Sequence, residues 1–320
     1  VDVSIGREYL MTDSVIEARN FRKTYGDFVA VDDISFDVRQ GEIFGLLGPN
    51  GAGKTSTLES LEGLRAPDGG TLRVAGVDPT REPHKLRNLI GVQLQSAGLP
   101  ESITPDEAIK FFCAYHSVAP RFDLLERLGV SEKRKAQFHE LSTGQQRRLA
   151  LALAVAHNPP VLFLDEPTAG LDVASRVELH DMMRELQATG TTIILATHDM
   201  AEAEEMSDRV GILLKGKLVT TGTPMDITAT GAGLTKVSVR TGQSSLSDPG
   251  LDFPAVSQKA SKDEYSNNYR TDNGATVSAI IAHIEAQEDT LIDLRVERPS
   301  LEDRFLEITT TGSTSTGGGR

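Results

Sequence analysis

Apolar positions in this chain follow two rhythms. Residues 43–47 (Ile-Phe-Gly-Leu-Leu), 161–164 (Val-Leu-Phe-Leu) and 192–196 (Thr-Ile-Ile-Leu-Ala) are short continuous apolar runs with polar loops on either side. Such runs predict strands buried on both faces. Residues 15–19, 34–38 and 71–74 mix apolar and polar positions, with turn signals at Gly26-Asp27 and Gln40-Gly41. They predict an antiparallel subdomain. Helical patterns occupy 56–64, 149–157 and 200–206, and Asn158-Pro159-Pro160 stops the second of these. Another helix starts at Thr104, where Pro105 sits just inside and Asp106 and Glu107 fill the first turn. The stretch from there to about residue 157 reads as a helical subdomain. Residues 210–214 and 218–221 flank Lys215-Gly216-Lys217 as a hairpin. Alternating buried strands and helices predict a mainly parallel sheet with ligand loops at its carboxyl ends.

Beyond about Asp226 the composition changes. Residues 228–233 (Thr-Ala-Thr-Gly-Ala-Gly) read as a linker, 234–240 as a strand and 263–271 as a second strand closed by the turn Asp272-Asn273-Gly274. A helix at 277–287, a strand at 291–296 and a last helix at 300–308 beside Pro299 complete a small βαβ-type domain. The division expected is an extension at 1–13, a main domain at 14–225, an accessory α+β domain at 226–308 and a Ser/Thr/Gly-rich disordered tail at 309–320.

At 320 residues the chain suits about two domains. No apolar run approaches the roughly 18 residues that suggest a membrane span. The start, Val1-Asp2-Val3-Ser4, shows no apolar signal region, and Met11 is a candidate start residue. The single Cys113 excludes an internal disulfide framework and fits a reducing cytoplasm. A net charge of −13 argues against generic nucleic-acid binding, so no nucleic-acid partner is expected.

The chemistry is concentrated after the first buried run. Gly48-Pro49-Asn50-Gly51-Ala52-Gly53-Lys54-Thr55 is a complete G-x-x-x-x-G-K-[ST] phosphate loop between a strand and a helix. Its glycines let backbone N–H groups converge on an anion, and the helix opening at Gly53-Lys54 adds its positive end. Lys54 reaches outer phosphates, Thr55 offers a hydroxyl to a phosphate-bound Mg²⁺, and Ser56 follows in the same first turn. This loop predicts a nucleoside triphosphate ligand.

A second cluster, Leu141-Ser142-Thr143-Gly144-Gln145-Gln146-Arg147-Arg148, opens the helix that runs to residue 157. Ser142 and Gln145 have the spacing of a capping box, so Ser142 is the expected N-cap. The buried run after it ends in Asp165-Glu166, followed by Pro-Thr-Ala-Gly170-Leu171-Asp172, and Ala196-Thr197-His198 ends the next run. With these motifs the chain resembles the ATP-binding-cassette (ABC) ATPases over about residues 14–225, with LSTGQ where the family has LSGGQ. Thr143 replaces the first glycine and leaves Ser142, Gly144 and Gln145 in place.

That resemblance implies an α/β P-loop cassette with a mainly parallel sheet core, an antiparallel β subdomain and a helical subdomain. It implies MgATP hydrolysis, with Tyr25 stacked on adenine, Asp165 in the Mg²⁺ shell and Glu166 as general base. His198 would bond the γ-phosphate, and Gln95 would sense Mg²⁺ and the attacking water while its loop faces a partner. A second glutamine, Gln93, lies two positions earlier. Asp172 is either a contact to an opposite subunit or a plain helix N-cap. In the family, Lys54 of one subunit and Ser142 of the other would enclose one ATP. A homodimer or paired cassette is therefore expected, working with a separate integral membrane permease, with this chain cytoplasmic and peripheral at the inner face of the cell membrane. The segment 299–307, Pro-Ser-Leu-Glu-Asp-Arg-Phe-Leu-Glu, resembles the end of cassettes from the bacterial drug- and antibiotic-export branch. The competing readings are a soluble ABC ATPase gating a ribosome or DNA interaction, an idle regulatory cassette and an importer ATPase.

Overall fold

The computed structural model describes residues 14–94, 98–229, 234–248, 250–261, 263, 265–271 and 274–311. Two compact units divide between Pro224 and Met225.

The first unit opens with β1 (Ser14–Tyr25) and β2 (Phe28–Arg39), joined by a tight turn in which Gly26 takes φ 57°. Each strand has 12 residues, well beyond the alternating segments at 15–19 and 34–38. The reason is a pair of irregularities. Asn20 and Asp33 both hold left-handed backbone, and the Asn20 side-chain amide donates to Asp33 Oδ1 at 2.9 Å. This break in the pleat ends the apolar alternation without ending the strands.

Next come β3 (Ile43–Leu47), α1 (Lys54–Leu61), β4 (Gly69–Val74), α2 (Pro83–Arg87) and β5 (Ile90–Gln93). Helix α1 therefore starts two residues before the predicted 56–64 segment and ends three before it, with Gly53 as its N-cap. The helical stretch contains α3 (Pro105–Tyr115), α4 (Phe122–Arg127) and α5 (Thr143–Val155). Both long members are closed by reciprocal capping boxes, Thr104 with Glu107 and Ser142 with Gln145. The remainder is β6 (Val161–Asp165), α6 (Val173–Ala188), β7 (Thr192–Thr197), α7 (Met200–Met206), β8 (Arg209–Leu214) and β9 (Lys217–Gly222).

Strands pair as an antiparallel sheet in the order β2-β1-β4 and a six-stranded sheet in the order β5-β6-β7-β3-β8-β9. The first five strands of the larger sheet are parallel and β9 closes its edge antiparallel. Alternate residues of the central strands feed two separate cores. Ile43, Leu162, Leu164, Ile193 and Leu195 pack with the helical stretch and α6. Phe44, Leu46, Phe163, Ile194 and Ala196 pack with α1 and the antiparallel sheet. Burial on both faces is why these strands read as unbroken apolar runs. Phe36 stacks on Phe44 across the second core, with ring centroids 5.5 Å apart. On the other face β5 lies against α5 so closely that a Cβ on Gly91 would stand 2.1 Å from the Ala154 carbonyl oxygen.

The second unit holds α8 (Pro224–Ala229), β10 (Thr235–Thr241), β11 (Val256–Ser261), β12 (Ser266–Thr271), α9 (Ala275–Ala286), β13 (Leu291–Glu297) and α10 (Leu301–Thr311). Its sheet order is β11-β12-β10-β13, antiparallel throughout. The connection β12-α9-β13 returns to the far side of β10, a split βαβ unit. Val237, Val239, Tyr269, Ile280 and Ile284 form its core.

Several expectations are corrected here. Thr228 and Ala229 belong to α8 rather than to a linker, while 230–233 lie outside the described residues. The strand expected at 263–271 starts at Ser266, because Asp263 turns the chain by accepting from the Tyr265 N–H at 2.9 Å. Helix α10 extends to Thr311, past the expected end of the domain, and 312–320 lie outside the described residues with 1–13 and most of the Asp272-Asn273-Gly274 turn. Among the described residues no helix is long and apolar enough to cross a membrane.

Candidate functional site

The phosphate loop joins the carboxyl end of β3 to α1. Gly51 and Gly53 hold φ of 80° and 107°, and a Cβ on Gly53 would stand 2.5 Å from the Ala30 carbonyl oxygen. Glycine is required there by both conformation and space. Lys54 folds back into the loop: its Nζ donates to the Gly48 carbonyl at 2.6 Å and the Pro49 carbonyl at 3.4 Å. The ammonium also lies 3.9 Å from Glu166 Oε1. Burial pulls its pKa down, and the carboxylates of Glu166 and Asp165 oppose that shift.

Strand β6 delivers Asp165 and Glu166 beside this loop. Thr55 Oγ1 donates to Asp165 Oδ2 at 3.3 Å, so the two expected Mg²⁺ ligands are neighbours. Asp165 is buried, and burial together with the adjacent Glu166 charge raises its pKa. A buried carboxylate so disfavoured, paired with a hydroxyl oxygen, suits a hard divalent cation. Glu166 adopts a left-handed backbone, φ 48°, immediately after the strand. Its Oε1 is 2.9 Å from His198 Nδ1, which follows β7. A non-glycine residue in that region is strained and is held there by its surroundings. The supports are its N–H on the Ala196 carbonyl at 2.8 Å and its own carbonyl, which accepts from Arg147 at 2.6 Å.

Arg147 was not legible as a site residue. Its sequence gives little signal, since it stands beside Gln145, Gln146 and a second cation, Arg148, in the polar first turns of the helix. Phe28 is the other addition. It is 62% exposed and lines, with Tyr25, residues 49–56 and Glu166, an open cleft of about 350 Å³. Pro49, Asn50, Gly51, Ala52, Gly53, Lys54, Thr55 and Ser56 thus line the cleft together with Tyr25, while Gly48 lies behind them with its carbonyl on Lys54. The Tyr25 hydroxyl donates to Ser56 Oγ at 3.4 Å, and Lys23 and Arg65 lie over its ring.

Ser142, Gly144, Gln145 and Asp172 do not line this cleft. Ser142 and Gln145 are engaged with each other: Ser142 N–H donates to Gln145 Oε1 at 3.0 Å and Gln145 N–H to Ser142 Oγ at 3.2 Å. Gly144 packs toward Leu171 and Ser175. Asp172 caps α6 by accepting from Ser175 N–H and Oγ, both at 2.9 Å, so the capping alternative is the geometry within one chain. Gln95 lies outside the described residues, whereas Gln93 is buried with neither amide atom hydrogen-bonded.

One acid near the cleft has a role in stability. Glu62 follows α1, is buried, and has no partner for Oε2. Burial, with the Asp165 and Glu59 charges, pushes its pKa from 4.5 up to about 8. Below the unfolded value both states are protonated. As pH rises from 4.5 to about 8, the unfolded chain releases a proton that the folded chain retains, so stability falls across that window. Glu62→Gln should therefore gain stability relative to the natural chain as pH rises. Urea unfolding of both proteins at the two ends of the window checks this, and parallel stability profiles would contradict it.

A P-loop strand–loop–helix, a histidine after the neighbouring strand and a carboxylate pair at the end of the strand beyond it define a nucleoside-triphosphate-hydrolysing cassette. The ABC transporter family model matches residues 31–169. The daunorubicin resistance ATP-binding protein DrrA3 of Streptomyces coeruleorubidus is 33% identical over 307 residues, covering 93% of this chain and 97% of that one. The chain belongs to the ABC transporter family, as an ATP-binding, ATP-hydrolysing cassette. The probable multidrug ABC transporter ATP-binding protein YbhF of Escherichia coli (strain K12) is 38% identical over 226 residues, or 69% of this chain. The chain spans only 39% of that relative's length. A solved ATP-binding subunit of an ABC transporter superposes with a TM-score of 0.64 at 26% identity, covering 68% of this chain and 92% of that structure.

Proposed function

We propose that this chain is the ATP-hydrolysing subunit of a bacterial exporter that moves a drug, antibiotic or lipid-like compound through a separate membrane permease. The observation that carries the reading is the Lys54–Glu166–His198 constellation at the phosphate loop, in a chain alignable almost end to end with a daunorubicin resistance protein. Backbone N–H groups of 50–55 and the Lys54 ammonium hold the phosphates, and Tyr25 with Phe28 forms the base-side rim. Thr55 and Asp165 would hold a Mg²⁺ ion, which when bound would neutralise charge building on the phosphates. Glu166 accepts the proton of the attacking water, and His198, already on Glu166, positions it against the γ-phosphate.

The signature cap at Ser142 lies outside the cleft of its own chain, which supports a second cassette completing each site. Ser142→Arg should suppress hydrolysis while the isolated chain still binds ATP. Nucleotide titration beside an ATPase assay checks it, and an affinity loss as deep as that of Lys54→Ala would refute the cross-subunit reading.

An apolar groove of about 330 Å³ lined by Leu94, Leu99, Phe112 and Leu153 supports the reading of a permease contact on the helical stretch, with the chain peripheral at the inner membrane face. Direction is testable in vesicles carrying the chain with its membrane subunit. ATP-dependent accumulation in inside-out vesicles is the expected result, and accumulation only in right-side-out vesicles would make it an importer.

A further inference from the structure

Among the described residues, strand β13 is an edge of the second unit's sheet, bonded on one side to β10 alone. None of its seven residues is buried, and all but Leu294 are exposed. Ile292 and Val296 are 58% and 51% exposed, although Val296 stands opposite the fully buried Val237. Leu294, between them in the alternation, packs against the sheet's core. The face that is core elsewhere in the sheet thus runs out uncovered along this edge. Exposed strand edges with apolar side chains are templates for another strand.

The sequence of β13, Leu-Ile-Asp-Leu-Arg-Val-Glu, is complementary to itself when reversed about Leu294. In an antiparallel pair centred there, Asp293 of one copy meets Arg295 of the other, and the reciprocal pair is identical. On the opposite face Ile292 meets Val296. Within one chain Arg295 Nε already binds Asp293 Oδ2 at 3.0 Å, so pairing would make a square of alternating charges rather than bring like charges together. Glu297, at the end of the strand, is held by Lys236 at 3.0 Å. Shifting the register by two residues, to a centre at Asp293 or Arg295, would set a like charge against itself, which disfavours slippage.

We infer that β13 is a self-association edge, and that two copies of this chain join through it by antiparallel pairing about Leu294 into one continuous eight-stranded sheet. The join is isologous, the same seven residues on both sides. It uses no residue of the nucleotide cleft, so it is independent of ATP.

The test uses the full chain without nucleotide, so that no ATP-enclosed dimer contributes. Cys113 is buried, so an introduced surface cysteine is the reactive thiol. Ile292→Cys and Val296→Cys are prepared separately, then mixed under mild oxidant. Directly opposed residues have Cα atoms about 4.5–5.5 Å apart, within the span a disulfide bridges. The mixture should give a disulfide-linked dimer, while each variant alone should not, because its cysteines lie four residues out of register. Arg295→Asp in both partners, which makes the square wholly acidic, should abolish the crosslink. The exchange D293R/R295D should restore it, which a merely unfolded variant could not do. No crosslink in the mixture, equal crosslinking of the single variants, or no recovery on charge exchange would each overturn the proposal. Any of these results would leave the Ser142 test of the ATP-linked pair untouched.

Discussion

Lys54→Ala should lose ATP binding by more than a hundredfold while leaving the nucleotide-free fold intact. The ammonium is buried at the base of the phosphate loop, bonded to the Gly48 carbonyl at 2.6 Å and near the Glu166 carboxylate. Truncating one side of a buried charged hydrogen-bond pair costs about 2–5 kcal/mol, and about 3 kcal/mol already corresponds to a hundredfold in affinity. The effect on folding should be small, because burial of this ammonium is itself unfavourable, as its lowered pKa indicates. Calorimetric titration with ATP and thermal unfolding without it separate the two. Undiminished affinity would remove Lys54 from the site, and a collapsed melting temperature would make the lysine structural.

Glu166→Gln should keep nucleotide affinity and lose turnover by about 10²–10⁴-fold, the usual cost of removing a general base. Glutamine has the same shape and can bond His198 in place of Oε1, so the 2.9 Å contact has a substitute. It cannot take a proton from water. The left-handed backbone at this residue is unaffected by exchange of one long side chain for another. Because hydrolysis ends the enclosed state, the variant should accumulate as an ATP-bound dimer in size-exclusion chromatography. Natural rates in this variant would exclude Glu166 as the base.

How much of this was legible depended on how local each feature is. The phosphate loop, the Asp165-Glu166 strand end and the Ser142 capping box were readable because each is fixed by a few consecutive residues and their neighbouring strand or helix. Strand β11, Val-Ser-Gln-Lys-Ala-Ser, was not readable: it is an edge strand with no fully buried position, so no apolar alternation marks it. The order β5-β6-β7-β3-β8-β9 was equally hidden, since a strand's neighbours are set by crossovers and not by its own residues. At the site, the contact of Arg147 with the Glu166 carbonyl joins residues 19 apart through packing of a helix on a strand end. Glu62 escaped notice because a glutamate at a helix end is ordinarily solvated, and only the packing around α1 buries it.

The Arg147 contact also bears on timing. Arg147 belongs to the helix capped by Ser142, and its guanidinium holds the main-chain carbonyl of Glu166, the proposed general base. If Ser142 closes over a nucleotide held by another cassette, one short rod then touches two reaction centres, with its N-cap at one and Arg147, five residues on, at the other. Any shift of the Glu166 main chain on phosphate release pulls on that rod within a single hydrogen-bond length. Two cassettes built this way would be geared to each other, each able to register whether its neighbour has fired.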